Sequence, residues 1–157
     1  MPLLRILAAA AVVVAAAGGI GCAHLRGGPV LVVEDPGRGR LLYQEPVVPG
    51  ASFVLAYVHS SEHVPVRGTV RIEADRTLRV TQTAFAGFGP GLPELQAGDA
   101  WEIKDGMIVY RPPGESVPEL RVRVLPITQH RLRLPSGREL DLSTLMGPGG
   151  AVLLRVR

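Results

Sequence analysis

The chain has 157 residues, with 17 Lys+Arg against 14 Asp+Glu, a formal net charge of +3 and 46% hydrophobic residues. That is one domain's length, and too apolar for a disordered chain. Its single cysteine, Cys22, excludes an internal disulfide, a Cys-based zinc site and a CxxC redox pair.

The chain starts MPLLRILAAAAVVVAAAGGIGCAHLRGG. One charge, Arg5, precedes an apolar run from Ile6 to Ile20, and the small residues Gly18, Gly19 and Gly21 lead to Cys22. These are the three regions of a secretory signal. Residues 1–22 therefore read as a signal peptide, a lipoprotein signal or a retained membrane anchor, and 28–157 as a single domain. Cys22 sits where a lipoprotein signal places its lipidated residue. Cleavage after Ala17 or Ala23 and retention as an anchor are the other routes. All three leave the rest of the chain outside the cytoplasm, in the periplasm or on the outer face of the cytoplasmic membrane. Loss of residues 1–21 removes only Arg5, leaving 16 cationic against 14 acidic side chains, a mature charge of +2.

From Gly27 onward Pro and Gly recur every few residues, and the runs between them alternate with period two. Alternation puts apolar side chains on one sheet face and polar ones on the other. Nine strands are expected: Val30–Glu34, Arg40–Glu45, Ser52–His59, Pro65–Ala74, Thr77–Ala84, Ala100–Lys104, Met107–Arg111, Glu119–Pro126 and His130–Leu134. The tail Ala151–Val156 is a tenth, and Leu140–Met146 is the one stretch suited to a helical turn. Asp105-Gly106 is a hairpin signal, because both residues tolerate positive φ. Asp75-Arg76, Pro36-Gly37 and Pro135-Ser136-Gly137 mark further turns. The expected fold is all-β, an antiparallel sandwich or small barrel of about 8–10 short strands. Its core is built on Val and Leu, with Trp101, Tyr43, Phe53 and Phe85 as the bulky fillers.

Two segments concentrate special residues. Tyr57-Val-His-Ser-Ser-Glu-His-Val-Pro-Val66 joins two strands, and Phe85-Ala-Gly-Phe-Gly-Pro-Gly-Leu-Pro-Glu94 alternates glycine with larger residues. His59, Glu62 and His63 have the order of an inverted zinc motif, but that motif needs a helix, and Pro65 with its β-rich flanks opposes one. His59 and His63 are thus weak metal candidates, able to converge with His24 or His130, and the plainer expectation is that they hydrogen-bond the turn. Ser60 beside His59 suggests a nucleophile and base, yet adjacent strand residues point to opposite faces. No GxSxG, Walker A or dinucleotide fingerprint is present, and no cofactor is implied. Arg121, Arg123, Arg131 and Arg133 would form a basic stripe if their strands pair. With 16 Arg to one Lys, Lys104, the basic residues have the usage of a GC-rich genome, which weakens them as evidence of anion recognition. Nucleic acid is disfavoured by compartment and by the lack of interleaved aromatics.

Tyr57-x-His59-Ser60-x-Glu62-x-x-Pro65-Val66, followed by Phe85-x-x-Phe88-Gly89-x-Gly91-Leu92-Pro93, resembles the small prokaryotic family called domain of unknown function 1850, over roughly Val30 to Val156. Ser61 stands where that family usually has Val, and Arg67 where it has an acidic residue. The resemblance implies an accessory role beside tripartite ATP-independent periplasmic transporters that use a TAXI solute receptor. Tyr57, His59, Ser60, Glu62, Pro65, Phe88, Gly89, Gly91 and Pro93 are the expected contact residues, with a permease or receptor as partner and the membrane reached through the anchor. A small-ligand or anion-binding module using the same loops, and a His/Glu metal-dependent hydrolase, are the alternatives. If Cys22 is the attachment point, Cys22→Ser abolishes fatty-acid labelling and releases the chain from washed membranes, as radiolabelled palmitate and fractionation would record.

Overall fold

The computed structural model describes residues 27–157. The signal-like segment, Cys22 and His24 lie outside the described residues. The strands are β1 (Val30–Asp35), β2 (Arg40–Pro46), β3 (Ser52–Val58), β4 (Pro65–Ile72), β5 (Leu78–Phe85) and β6 (Ala100–Lys104), then β7 (Met107–Arg111), β8 (Ser116–Val117), β9 (Glu119–Val124), β10 (Arg131–Arg133), β11 (Glu139–Asp141) and β12 (Gly150–Val156). A 3-10 turn covers Pro126–Thr128, and the helix α1 covers Leu142–Met146. All pairings are antiparallel and form two sheets. The smaller runs β2-β1-β12-β9, and the larger runs β11-β10-β3-β4-β5-β7-β6 with β8 attached to β5. The all-β sandwich expected from alternation is the observed architecture.

One core joins the sheets. Leu31 and Val33 of β1, Val152 and Leu154 of β12 and Val124 of β9 meet Phe53, Val70, Ile72, Leu78 and Leu132 of the larger sheet. A second, smaller cluster lies further along the same inner face, where Val66 and Phe85 pack under Leu92 of the glycine-rich loop. The strand β5 serves both, and this requires a change of parity. Val70 pairs with Val80 but Thr69 pairs with Gln82, so Thr81 is an extra residue, a β-bulge. Even-numbered Leu78 and Val80 thereby share a face with odd-numbered Phe85.

The turns follow their residue chemistry. Asp105 (φ 51) and Gly106 (φ 74) both take the positive φ of a tight hairpin. The Asp75 carboxylate accepts from the Thr77 amide at 3.0 Å and from its hydroxyl at 2.6 Å, which closes the β4–β5 link and ends β4 at Ile72 rather than Ala74. Asp141 caps α1 by accepting from the Thr144 amide at 2.9 Å. Leu140 belongs to β11 and not to the helical turn, which begins at Leu142. The strands β8 and β11 are additions to the expected set. Trp101 is not a core filler: it lies 46% exposed on the edge strand β6, beyond the reach of the smaller sheet. Arg121 and Arg123 lie on β9 of one sheet and Arg131 and Arg133 on β10 of the other, so the four form no single stripe.

A buried carboxylate fastens β2, at the edge of the smaller sheet, to the β10–β11 turn of the larger. Glu45 is 6% exposed and accepts from the Ser136 hydroxyl at 2.6 Å, the Ser136 amide at 3.2 Å and the Tyr43 hydroxyl at 3.3 Å. Arg138 stacks over the Tyr43 ring, 5.0 Å from its centroid. Glu45→Ala leaves these donors without their anion, and denaturant unfolding should show a loss of about 2 kcal/mol, with Ser136→Ala losing about half as much.

Candidate functional site

The β3–β4 connection is a four-residue turn after His59. The His59 amide donates to the Val64 carbonyl at 2.9 Å, and the His63 amide donates to the His59 carbonyl at 3.0 Å. His63 closes the turn in the left-handed region at φ 55 and is exposed. His59 points inward with Tyr57, as their equal parity requires, and is 8% exposed.

Both nitrogens of the His59 ring hold backbone. Nε2–H donates to the Pro90 carbonyl at 2.9 Å. That fixes the tautomer, so Nδ1 is an acceptor and takes the Glu62 amide at 3.3 Å, with the Ser61 hydroxyl 3.2 Å away. One imidazole therefore ties the turn after β3 to the glycine-rich loop, and the two segments meet in space. The approach is close at the meeting point: a Cβ on Gly89 would overlap Cγ of Glu62, an exposed side chain that would have to swing aside. Gly91 (φ +81) turns the loop back, with the Leu92 amide donating to the Gly89 carbonyl at 3.0 Å. Leu92 is thereby buried against Val66 and Phe85, with half-buried Pro93 following. Phe88 sets its ring edge-on to Phe85 at 5.8 Å yet stays 58% exposed. Pro65 starts β4 opposite Val58. Ser60 is exposed at the turn, and it is Ser61 whose hydroxyl reaches His59.

This arrangement constrains the chemistry. A zinc ion on His59 would have to displace the Pro90 or Glu62 bond. The Ser61 hydroxyl is within reach of Nδ1, but the Glu62 carboxylate lies 3.3 Å from it and opposes an alkoxide there. Among the described residues, no group of three or more His, Cys, Asp or Glu could hold a metal ion.

The residue that sequence reasoning underused is His130. Its ring stacks on Tyr57 with centroids 4.9 Å apart and planes 10° from parallel. Thr128 donates its one hydroxyl proton to the Leu125 carbonyl at 2.7 Å and accepts from the Leu125 amide at 3.1 Å. His130 Nδ1, 2.7 Å from the same hydroxyl oxygen, is then the donor. The backbone of His130 is held as well: its amide donates to the Ser143 hydroxyl at 2.9 Å and its carbonyl accepts from the Leu142 amide at 2.9 Å. Burial keeps the imidazole neutral by lowering its pKa from 6.5 to about 4, and burial raises the Tyr57 phenol above its usual value. The sequence signal was parity. Position 130 precedes Arg131, which pairs with Ala56, so it falls beside Tyr57 once β10 pairs with β3.

A family model, Domain of unknown function (DUF1850), matches residues 53–142, more than half of the chain. The chain belongs to this DUF1850 family. The match runs from β3 to the start of α1, so it contains both motif segments and His130 but only one strand of the smaller sheet, β9. Comparison with curated proteins and with solved structures returns no match. For this DUF1850 domain, the His130 pocket predicts a pH signature. The unfolded chain takes up the proton near pH 6.5 and the folded chain near 4. Between those values the unfolded state binds more protons. Stability is thus full above pH 6.5, falls as pH drops toward 4, and levels below it. Unfolding free energies at pH 7 and pH 4.5 should differ by about 2 kcal/mol from this group. His130→Asn should remove that share of the difference.

Proposed function

We propose that this chain is a non-catalytic contact module of a membrane solute-uptake system, working outside the cytoplasmic membrane. The segment 1–22 holds it there, through Cys22 or through its apolar run. The surface built by the two motif loops engages a permease or solute receptor of the TAXI type. One observation carries this reading: His59 commits both ring nitrogens to backbone and leaves Phe88 raised on a locked loop. A general base needs a free lone pair beside its substrate, whereas a docking surface needs a rigid frame with an exposed aromatic.

The neighbourhood of Phe88 extends the surface. Phe85 pairs with Ile108, and Ile108 with Ile103, so Ile103 lies on the same face two strands away. Ile103 is 71% exposed, and Trp101 follows on that face of β6. An exposed set of Phe, Trp and Ile at one rim supports a protein partner, since aromatic anchors dominate such interfaces.

Affinity purification of the tagged full chain from cross-linked native membranes tests the proposal. We expect a transporter permease or receptor to be enriched, and Phe88→Ser to lose it while the thermal midpoint stays within a few degrees. Gly89→Ala, whose Cβ displaces the Glu62 side chain at this rim, should weaken it. Enrichment of no transport component, or equal enrichment by all three forms, would overturn the reading.

A further inference from the structure

The outward face of the larger sheet, opposite the motif loops, holds a trough of about 560 Å³. Its floor is one register row. Arg131 lies beside Ala56, Ala56 beside Arg67, Arg67 beside Ala84, and Ala84 beside Val109. Two guanidinium arms therefore rise two strands apart, about 10 Å at the backbone, with a single methyl group between them. The next row adds Thr69 and Gln82, both polar and facing the same space. The bulge at Thr81 turns Gln82 and Ala84 toward this face.

Most arginines here are already engaged. Arg38 holds Asp35, Arg71 holds Glu73, Arg111 holds Glu102, and Arg155 holds Glu34. In the trough, Glu139 holds Arg133 at 3.0 Å. Arg67 and Arg131 are exposed, and among the described residues neither forms an ion pair. Asp141, which pairs with Arg131 across the ladder, caps α1 and makes no ion pair with Arg131, although the guanidinium's charge adds to the capping bonds that lower the Asp141 pKa. Lys104 lines the same trough. Arg67, Arg131 and Lys104 thus bring three cationic side chains to one trough with no ion pair among the described residues.

We propose that this trough binds a small organic dianion, a dicarboxylate, with one carboxylate on Arg67 and the other on Arg131. A guanidinium presents a planar fork that matches a carboxylate in a bidentate pair. Two such forks facing across an alanine floor suit two carboxylates joined by a short chain. The rim opposes a polyanion, because Glu139 stands at the β11 edge and Asp105 at the β6–β7 turn. A strand of nucleic acid or an acidic polymer leaving the trough would meet one of them. The site is on the opposite face from Phe88, so it stands whether or not the motif loops dock a transporter.

Titration calorimetry of the detergent-solubilised full chain at low ionic strength tests it, with succinate, glutarate, acetate and inorganic phosphate as probes. We expect saturable heat from a dicarboxylate, roughly tenfold tighter than from acetate or phosphate. Arg67→Gln and Arg131→Gln should each weaken it about tenfold or more. Ala56→Leu, which fills the floor from the solvent side and keeps every charge, should abolish it. Arg123→Gln, on the other sheet, should leave it unchanged. No heat from either dicarboxylate, equal affinity for acetate, or an equal loss in Arg123→Gln would overturn the proposal.

Discussion

The extra residue at Thr81 is the constraint from which the rest follows. One strand must bury Leu78 and Val80 in the main core and Phe85 in the smaller cluster. Phe85 lies seven positions after Leu78, an odd offset, so a regular strand would send one of them to solvent. The bulge resolves the conflict. It lets a single sheet extend past the smaller sheet that covers it, and the uncovered end needs another lid. The glycine-rich loop is that lid, and Leu92 is its plug. The same parity change sends Gln82 and Ala84 outward, where they line the basic trough.

Holding a loop as a lid requires that its backbone be bonded, since it has no strand partner. His59 supplies the link from below through the Pro90 carbonyl, and Gly89 permits the approach. The two conspicuous sequence segments are therefore two halves of one structural joint. Tyr57 extends the joint sideways to His130, and Thr128 and Ser143 fix the backbone and ring there. The imidazoles are building elements in both places, that of His59 held by the Pro90 carbonyl and the Glu62 amide and that of His130 by the Thr128 hydroxyl and the Tyr57 ring. What remains available for recognition is the outer rim, not the ring nitrogens of His59.

Strand positions were legible wherever alternation was undisturbed and a turn signal bounded it. Ala100–Lys104 and Met107–Arg111, on either side of Asp105-Gly106, are the clear case. Local pattern cannot separate Leu140 from the helical turn, because Glu139–Asp141 is three residues long and runs directly into the apolar residues of α1. Trp101 looked like core because a large aromatic on an alternating strand usually faces one. Its strand is an edge, and edges are set by sheet order, which local pattern does not encode. The meeting of the two motif loops had a local signal in their composition. The Tyr57–His130 stack and the Arg67–Arg131 row had none, because each depends on β10 pairing with β3 from far along the chain.

The smaller sheet has its own long-range dependence. Its two central strands, β1 and β12, come from opposite ends of the described residues, with Leu31 beside Val156 and Val33 beside Leu154. Closing so long a loop costs more entropy than closing the hairpins of the larger sheet, and that cost comes before any ladder bond repays it. Until then the β1–β2 hairpin has no neighbour, and the apolar face of β3–β5 lies open on the side that Leu31 and Val33 will cover. The smaller sheet is thus the part of this fold that exists only when both ends of the described residues are brought together.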